Sequence, residues 1–319
     1  MKPCPHVLSS RFAEKIREYI QLMRHLGRLF IGEEGHLRTF DAFCVNRHHQ
    51  APLTQQLAVD FAYSIPNLIP YQYARRYAII RGFANYLLNY EPQTESLDPH
   101  AVPVKAQRIP AYIYTDAEIS RLLETIPQLT FRHPFRIATY QTMLGLIAAT
   151  GLRAREALRL DLDDVDLEDG LLQIRCTKFR KSRLVPIPST TRERLRAYLQ
   201  VRVTQGAALN QQALFLSVRH NRIPYGTVCA LFQTLRRKAG LQPTIGRQPR
   251  IHDLRHTFAV RRVLAWYEEG ADVQAKLPLL ATYMGHVHFE DTAYYLSAGS
   301  ELLAKAGERF EQHRSHAHE

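Results

Sequence analysis

The sequence predicts a mainly α-helical protein with a small antiparallel β-sheet, arranged as a helical N-terminal module followed by a larger, mostly helical domain. Three observations predict it. Apolar residues recur at three- and four-residue spacing along most of the 319 residues. A short stretch in the middle reads instead as two strands around a cationic turn. Pro92, Pro99, Pro103 and Pro110 break a segment that separates two lengths of chain, each long enough for its own core.

From residue 10 to about residue 90 the pattern is helical. Phe12, Ile16, Tyr19, Ile20, Met23 and Leu26 make one apolar face, with Ser9 or Ser10 as the expected N-cap. Further helices are expected over residues 54–63 and 71–90. In the latter, Arg75, Arg76 and Arg81 lie among Tyr73, Tyr77, Ile80 and Phe83, a packed face beside a cationic one. Periodicity is lost from residue 91 to 111, the expected linker, where Lys105 and Arg108 are candidates for contact with a nucleic-acid backbone.

The second domain is expected from residue 114. Thr115 should cap a helix running to residue 126, with Asp116 and Glu118 in its first turn. Residues 135–150 read as a buried helix ending at Gly151. The run Asp161, Asp163, Asp164, Asp166 has Asp166 where a calcium loop needs glycine, and is expected as a solvated turn. Strands follow over residues 171–176 and 183–188, around Lys178, Phe179, Arg180 and Lys181. Helices are then expected over residues 191–203, 225–239, 252–268 and 275–284. Arg236, Arg237 and Lys238 on the second of these are candidates for phosphate contact.

Lys and Arg number 42 against 30 acids, giving a net charge of +12 and a pI near 9.7. Such an excess suits a polyanionic partner, nucleic acid first. No stretch approaches the length of a membrane span. Pro3, Pro5, His6 and Arg11 interrupt the opening residues, so no secretory leader is expected and the cytoplasm is the expected compartment. Cys4, Cys44, Cys176 and Cys229 lie far apart, without the paired spacing of a zinc site. His313, His316 and His318 read as part of a disordered tail.

Four local patterns carry polar residues suited to chemistry. In the first, Gly151-Leu152-Arg153, a glycine ends one helix, an arginine opens the next, and Glu156 follows within a turn. The second is the cationic turn with Lys178 and Lys181. The third is His252-Asp253-Leu254-Arg255, whose H-x-x-R spacing places two side chains one turn apart. That spacing recurs at His25/Arg28 and His133/Arg136, so spacing alone does not select it. The fourth is Gly285-His286, followed nine residues later by Tyr295, with Tyr294 beside it.

Together the four resemble the tyrosine recombinase, or phage integrase, family. That family carries an arginine in a G-L-R-x-x-E context, a hairpin lysine, H-x-x-R, a G-H and a tyrosine nine residues later, in this order. The matching positions are Arg153 with Glu156, Lys178, His252 with Arg255, His286 and Tyr295. The resemblance spans residues 111–297. It implies a helical core-binding, DNA-binding domain over residues 1–105, a linker over 106–113, and a catalytic domain over 114–319. Lys178 is chosen over Lys181 because it directly follows the first strand, and Tyr295 over Tyr294 because of the nine-residue spacing.

The resemblance implies a site-specific recombinase or integrase, serving a mobile element or a housekeeping resolution system. Arg153 and Arg255 would hold non-bridging phosphate oxygens with forked hydrogen bonds, and His286 would add a third donor. Tyr295 would attack and form a 3′-phosphotyrosyl bond, with His252 as base or relay, Lys178 as general acid and Glu156 orienting the set. No metal, ATP or other cofactor is expected. The expected partners are double-stranded DNA at specific sites, further copies of the chain (a tetramer in the synapse) and accessory recombination proteins. Leu302, Leu303, Ala306 and Phe310 line one side of a further expected helix over residues 300–310, which would dock on a neighbouring copy or, as the alternative, on its own core. The rival readings are type IB topoisomerase-like relaxation, a DNA-binding accessory protein without catalysis, and a metal-dependent hydrolase built on the histidines.

Overall fold

The computed structural model describes residues 7–103, 111–129, 133–175, 182–205, 211–243, 248–286 and 290–293. The chain divides into two compact units, Met1–Arg108 and Ile109–Glu319. Lys105, Arg108, Lys178, Lys181, Tyr294, Tyr295 and residues 300–310 lie outside the described residues.

The described residues of the first unit form four helices, α1 (Ala13–His25), α2 (Ile31–Asn46), α3 (Gln55–Tyr63) and α4 (Pro70–Leu87). Their apolar faces meet in an aromatic core. Phe12 and Phe40 stack with centroids 5.8 Å apart, and Phe40 meets Phe61 edge-on at 5.2 Å. Ser10 does not cap α1 as expected. Phe12 stands at the N-cap, and Ser9 and Ser10 donate their backbone N–H groups to the buried carboxylate of Asp41 on α2. The serines thus tie the entry of the chain to α2, a helix with no separate expectation from sequence. Much of the expected linker also belongs to this unit. Leu97 and Val102 are buried in its core, and Glu95 accepts from the N-terminal Gln55 N–H of α3 at 2.6 Å.

The second unit opens with α5 (Asp116–Thr125). Thr115 caps it in a reciprocal box: its hydroxyl accepts from the Glu118 N–H at 3.2 Å, while Glu118 accepts from the Thr115 N–H at 2.9 Å. The long α6 (Pro134–Thr150) is nearly enclosed and ends at Gly151 in the left-handed conformation, φ +63°. A Cβ there would lie 2.5 Å from a ring carbon of Phe258, so glycine is needed for space as well as for φ. Next come α7 (Ala154–Arg159) and three antiparallel strands in the order β1 (Val165–Asp166), β2 (Leu171–Ile174), β3 (Arg183–Pro186). Leu172 faces Val185 and Ile174 faces Arg183. Leu172, Ile174 and Val185 point to the core, the period-two pattern of a sheet with one buried face.

The aspartate run before the sheet is not wholly solvated. Asp164 is buried against Arg175, and Asp161 pairs with Arg222. Helices α8 (Ser189–Thr204), α9 (Tyr225–Lys238), α10 (Asp253–Glu268), α11 (Val273–Met284) and the short α12 (Glu290–Ala293) complete the unit. Among the described residues no helix is long and apolar enough to cross a membrane.

Candidate active site

Three chain segments distant in sequence meet at the end of α11. Gly285 ends that helix with φ +66°, and the His286 N–H closes back on the Ala281 carbonyl at 2.9 Å. The terminal carbonyls of α11 are thereby left as acceptors, and two arginines take them. Arg153, at the N-cap of α7, donates to the Gly285 carbonyl at 3.2 Å. Arg255, in the first turn of α10, donates to the Met284 carbonyl at 2.5 Å and, through its other terminal nitrogen, to the Gly151 carbonyl at 2.8 Å. Arg255 is 2% exposed. Its charge is tolerated there because the negative ends of two helix dipoles, α6 and α11, converge on one guanidinium.

His286 completes the contact. Its Nε2 lies 2.9 Å from the same Arg255 nitrogen, and its Nδ1 lies 2.7 Å from the buried hydroxyl of Thr292. A guanidinium nitrogen can only donate, so Nε2 accepts and Nδ1 carries the proton toward Thr292. In this arrangement His286 steadies Arg255, and the Thr292 hydroxyl, which can donate or accept, leaves the other neutral tautomer open to it.

Glu156 organises the arginines from below. It is 9% exposed, and its carboxylate accepts from the Arg153 backbone N–H at 3.0 Å and the Arg153 guanidinium at 2.8 Å. Arg183 of β3 grips the same carboxylate with both terminal nitrogens, at 3.2 and 2.8 Å. Burial opposes ionisation, but the hydrogen bonds and charges of Arg183 and Arg153 outweigh it and hold the carboxyl at about 2.

His252 stands at the N-cap of α10, its ring edge-on to His256 at 4.9 Å. Its residue remains exposed although protein atoms crowd the ring. That desolvation, then the nearby His256, Arg255 and Arg250, pushes the imidazole down to about 4. It is therefore neutral near neutral pH, while the same surroundings disfavour its protonated form until a compensating negative charge comes close. Asp253, between the two motif residues, is fully buried and paired with Arg250 at 2.9 Å, which pins the first turn of the helix.

The remaining expected cations divide by environment. Arg76 is 4% exposed and donates to the Phe61 and Ala62 carbonyls and the Ser64 hydroxyl, at 2.7, 3.1 and 2.9 Å. It closes the C-terminal end of α3, and its expected contact with DNA is withdrawn. Arg75 is exposed, 3.9 Å from Glu33, and Arg81 is half-buried. On α9, Arg236 is half-buried and donates to the Pro249 carbonyl, while Arg237 and Lys238 are exposed.

Arg183 and Thr292 were not among the sequence candidates. Arg183 did leave a signal. It shares a strand face with Val185, and an arginine on the inward face of a strand needs a buried partner. Among the described residues no cluster of histidine, cysteine, aspartate or glutamate side chains is placed to hold a metal ion.

The phage integrase family model matches residues 113–301, more than half of the chain. The chain belongs to that family. Its activity is tyrosine-type, site-specific DNA recombination. A Sinorhizobium fredii protein named integrase/recombinase y4rE is 41% identical over 93% of this chain and 94% of its own length. The tyrosine recombinase XerA of Thermococcus kodakarensis is 31% identical over 72% of this chain and 76% of its own. In fold, the recombinase is similar to the Tn1549 transposon integrase in complex with circular intermediate DNA, with a TM-score of 0.68 at 16% identity, covering 93% of this chain and 99% of that one. It is also similar to the XerH recombinase bound to its difH substrate after cleavage, with a TM-score of 0.66 at 19% identity, covering 93% and 84%.

Proposed function

We propose that this recombinase cleaves DNA with Tyr295 and holds the scissile phosphate with Arg153 and Arg255. The convergence of these two arginines and His286 on the end of α11 carries the reading. A phosphodiester under attack gathers negative charge on its non-bridging oxygens, and preformed, water-poor cationic donors favour that state over the ground state. The arginines are held before substrate arrives, so little reorganisation is needed at the moment of reaction.

Tyr295 Oη attacks phosphorus and the bond to the 5′ oxygen breaks, leaving a 3′-phosphotyrosyl link. His252, neutral by its surroundings, receives the phenol proton. Lys178 delivers a proton to the departing 5′ oxygen. The second strand's 5′ hydroxyl then attacks the phosphotyrosine and the proton transfers reverse. Glu156 remains ionised and orients Arg153. Two of the similar structures hold DNA, and duplex DNA at specific sites is the proposed substrate. The N-terminal unit is proposed as a DNA-gripping domain, and four copies as the assembly that exchanges strands, with accessory proteins setting direction.

A duplex nicked beside the cleavage site traps the covalent intermediate, because the short 5′ fragment diffuses away. The wild type should form an adduct stable to denaturant, and Tyr295→Phe none. An adduct that survives Tyr295→Phe and disappears with Tyr294→Phe would overturn the assignment. Relaxation of plasmid without site preference would favour the topoisomerase reading.

A further inference from the structure

We propose that Arg183 is a positioning residue of the strand-cleavage reaction, acting through Glu156 on Arg153; the inference rests on the proposed role of Arg153. Its guanidinium touches two elements besides its own strand. The terminal nitrogens fork onto both oxygens of Glu156 at 3.2 and 2.8 Å, and Nε donates to the Tyr283 carbonyl near the end of α11 at 2.8 Å. The side chain is 10% exposed. All three of its nitrogens are directed at protein acceptors, two on Glu156 and one on Tyr283.

Its position explains three things at once. Glu156 makes contacts to the backbone and side chain of Arg153, and it can hold them only while ionised. Arg183 supplies the larger share of the attraction that keeps this buried carboxyl charged. Arg183 also faces Ile174 across the β2–β3 pair, at the stem of the hairpin whose turn contains Lys178 in sequence. One side chain therefore links that stem to the α7 N-terminus and to the α11 C-terminus. Finally, Arg183 dictates a residue of the fourth motif. A Cβ at position 285 would lie 2.8 Å from its Nη1 and 3.1 Å from its central carbon, so the glycine before His286 makes room for this guanidinium as well as for φ +66°.

An arginine that served stability alone would leave the chemical step of folded protein unchanged. Arg183 as a positioning residue predicts a different pattern. Single-turnover adduct formation on the nicked duplex should fall roughly 10- to 100-fold in Arg183→Gln, while DNA affinity changes less than about threefold. With one of its two cations gone, Glu156 should protonate at higher pH, so the variant should gain an acid limb in its cleavage profile that the wild type lacks between pH 5 and 8. Adding Glu156→Gln to Arg183→Gln should cost little more, because both changes break one chain of contacts.

Arg183→Lys, which keeps the charge but cannot fork, covers the case in which the glutamine variant fails to fold. It should melt near the wild type and still cleave at least tenfold more slowly. Wild-type cleavage by folded Arg183→Lys would overturn the proposal. So would a loss in Arg183→Gln that simply multiplies with that of Glu156→Gln. Failure of the wild type itself to form an adduct would instead overturn the proposed function, so the two ideas fail separately.

Discussion

Adding one methyl group at Gly151 tests how the arginine site is supported. Gly151→Ala places a Cβ where φ is +63° and where ring carbons of Phe258 stand 2.5 and 2.9 Å away, with the Met284 sulfur at 3.3 Å. The left-handed backbone costs an L-residue about 1–2 kcal/mol. Overpacking against a ring costs about 1–3 kcal/mol, because Phe258 is stacked on Tyr283 with centroids 5.5 Å apart and has little room to retreat. Together the variant should lose about 2–5 kcal/mol, which for a domain of this size lowers the melting temperature by roughly 5–20 °C. The single tryptophan, Trp266, lies on α10, so its fluorescence follows unfolding of the second unit by itself. Urea titration read by that signal measures the loss. Combining Gly151→Ala with Phe258→Leu should recover the packing part and leave the backbone part. A midpoint shift worth less than about 1 kcal/mol, or complete rescue by Phe258→Leu, would refute the reasoning.

Three further outcomes follow from the geometry. Glu156→Gln strands two arginines around a neutral amide and should destabilise the second unit by about 3 kcal/mol in the same titration; a cost under about 0.5 kcal/mol would show that the ion pairs are spectators. Arg76→Met uncovers the α3 carbonyls and should cost about 2 kcal/mol in calorimetry without altering the salt dependence of DNA affinity; an altered salt slope would return Arg76 to the DNA-binding face. The last concerns pH. Burial holds His252 and His256 at about 4 against an ordinary value near 6.5, reinforced by Arg250 and Arg255 and opposed by Asp253. Between those values the unfolded chain binds protons that the folded chain refuses, so stability is lost as pH falls from about 6.5 to 4. Glu156, held at about 2, adds a second loss that begins only below about 4.5. The urea midpoint measured against pH should therefore fall in two stages, and His256→Gln should weaken the first stage alone.

Where a local rule had a local partner, the sequence was readable. Thr115 with Glu118 forms a capping box within four residues, and Gly151 ends α6 because only a flexible residue turns there. The two strands and the helices after them follow from periodicity. What failed needed a partner far along the chain. Ser10 looked like a cap, but Asp41 on α2 claims it. Arg76 reads as a surface cation until the open end of α3 is set beside it. Helix α2 escaped because Phe30 stands at its N-cap and Ile31 opens it, where a polar cap would announce a start. The third strand, β1, has two residues, too few for any period to register. In the site, motif order placed Arg153, Arg255 and His286 in one family pattern, yet neither order nor spacing reveals that His286 accepts from Arg255, or that Arg183 stands behind Glu156.

The cluster at the end of α11 is also a matter of timing. Arg255 reaches back 104 residues to Gly151, and Arg153 reaches forward 132 residues to Gly285. A ribosome releases the chain from its N-terminus, and early domains fold as they emerge. Arg153 must therefore wait for nearly the whole of the second unit before its acceptor exists. A stalled or truncated product ending before residue 285 holds the first arginine and none of the carbonyl that aims it. The order of this cluster therefore arrives only with near-completion of the second unit.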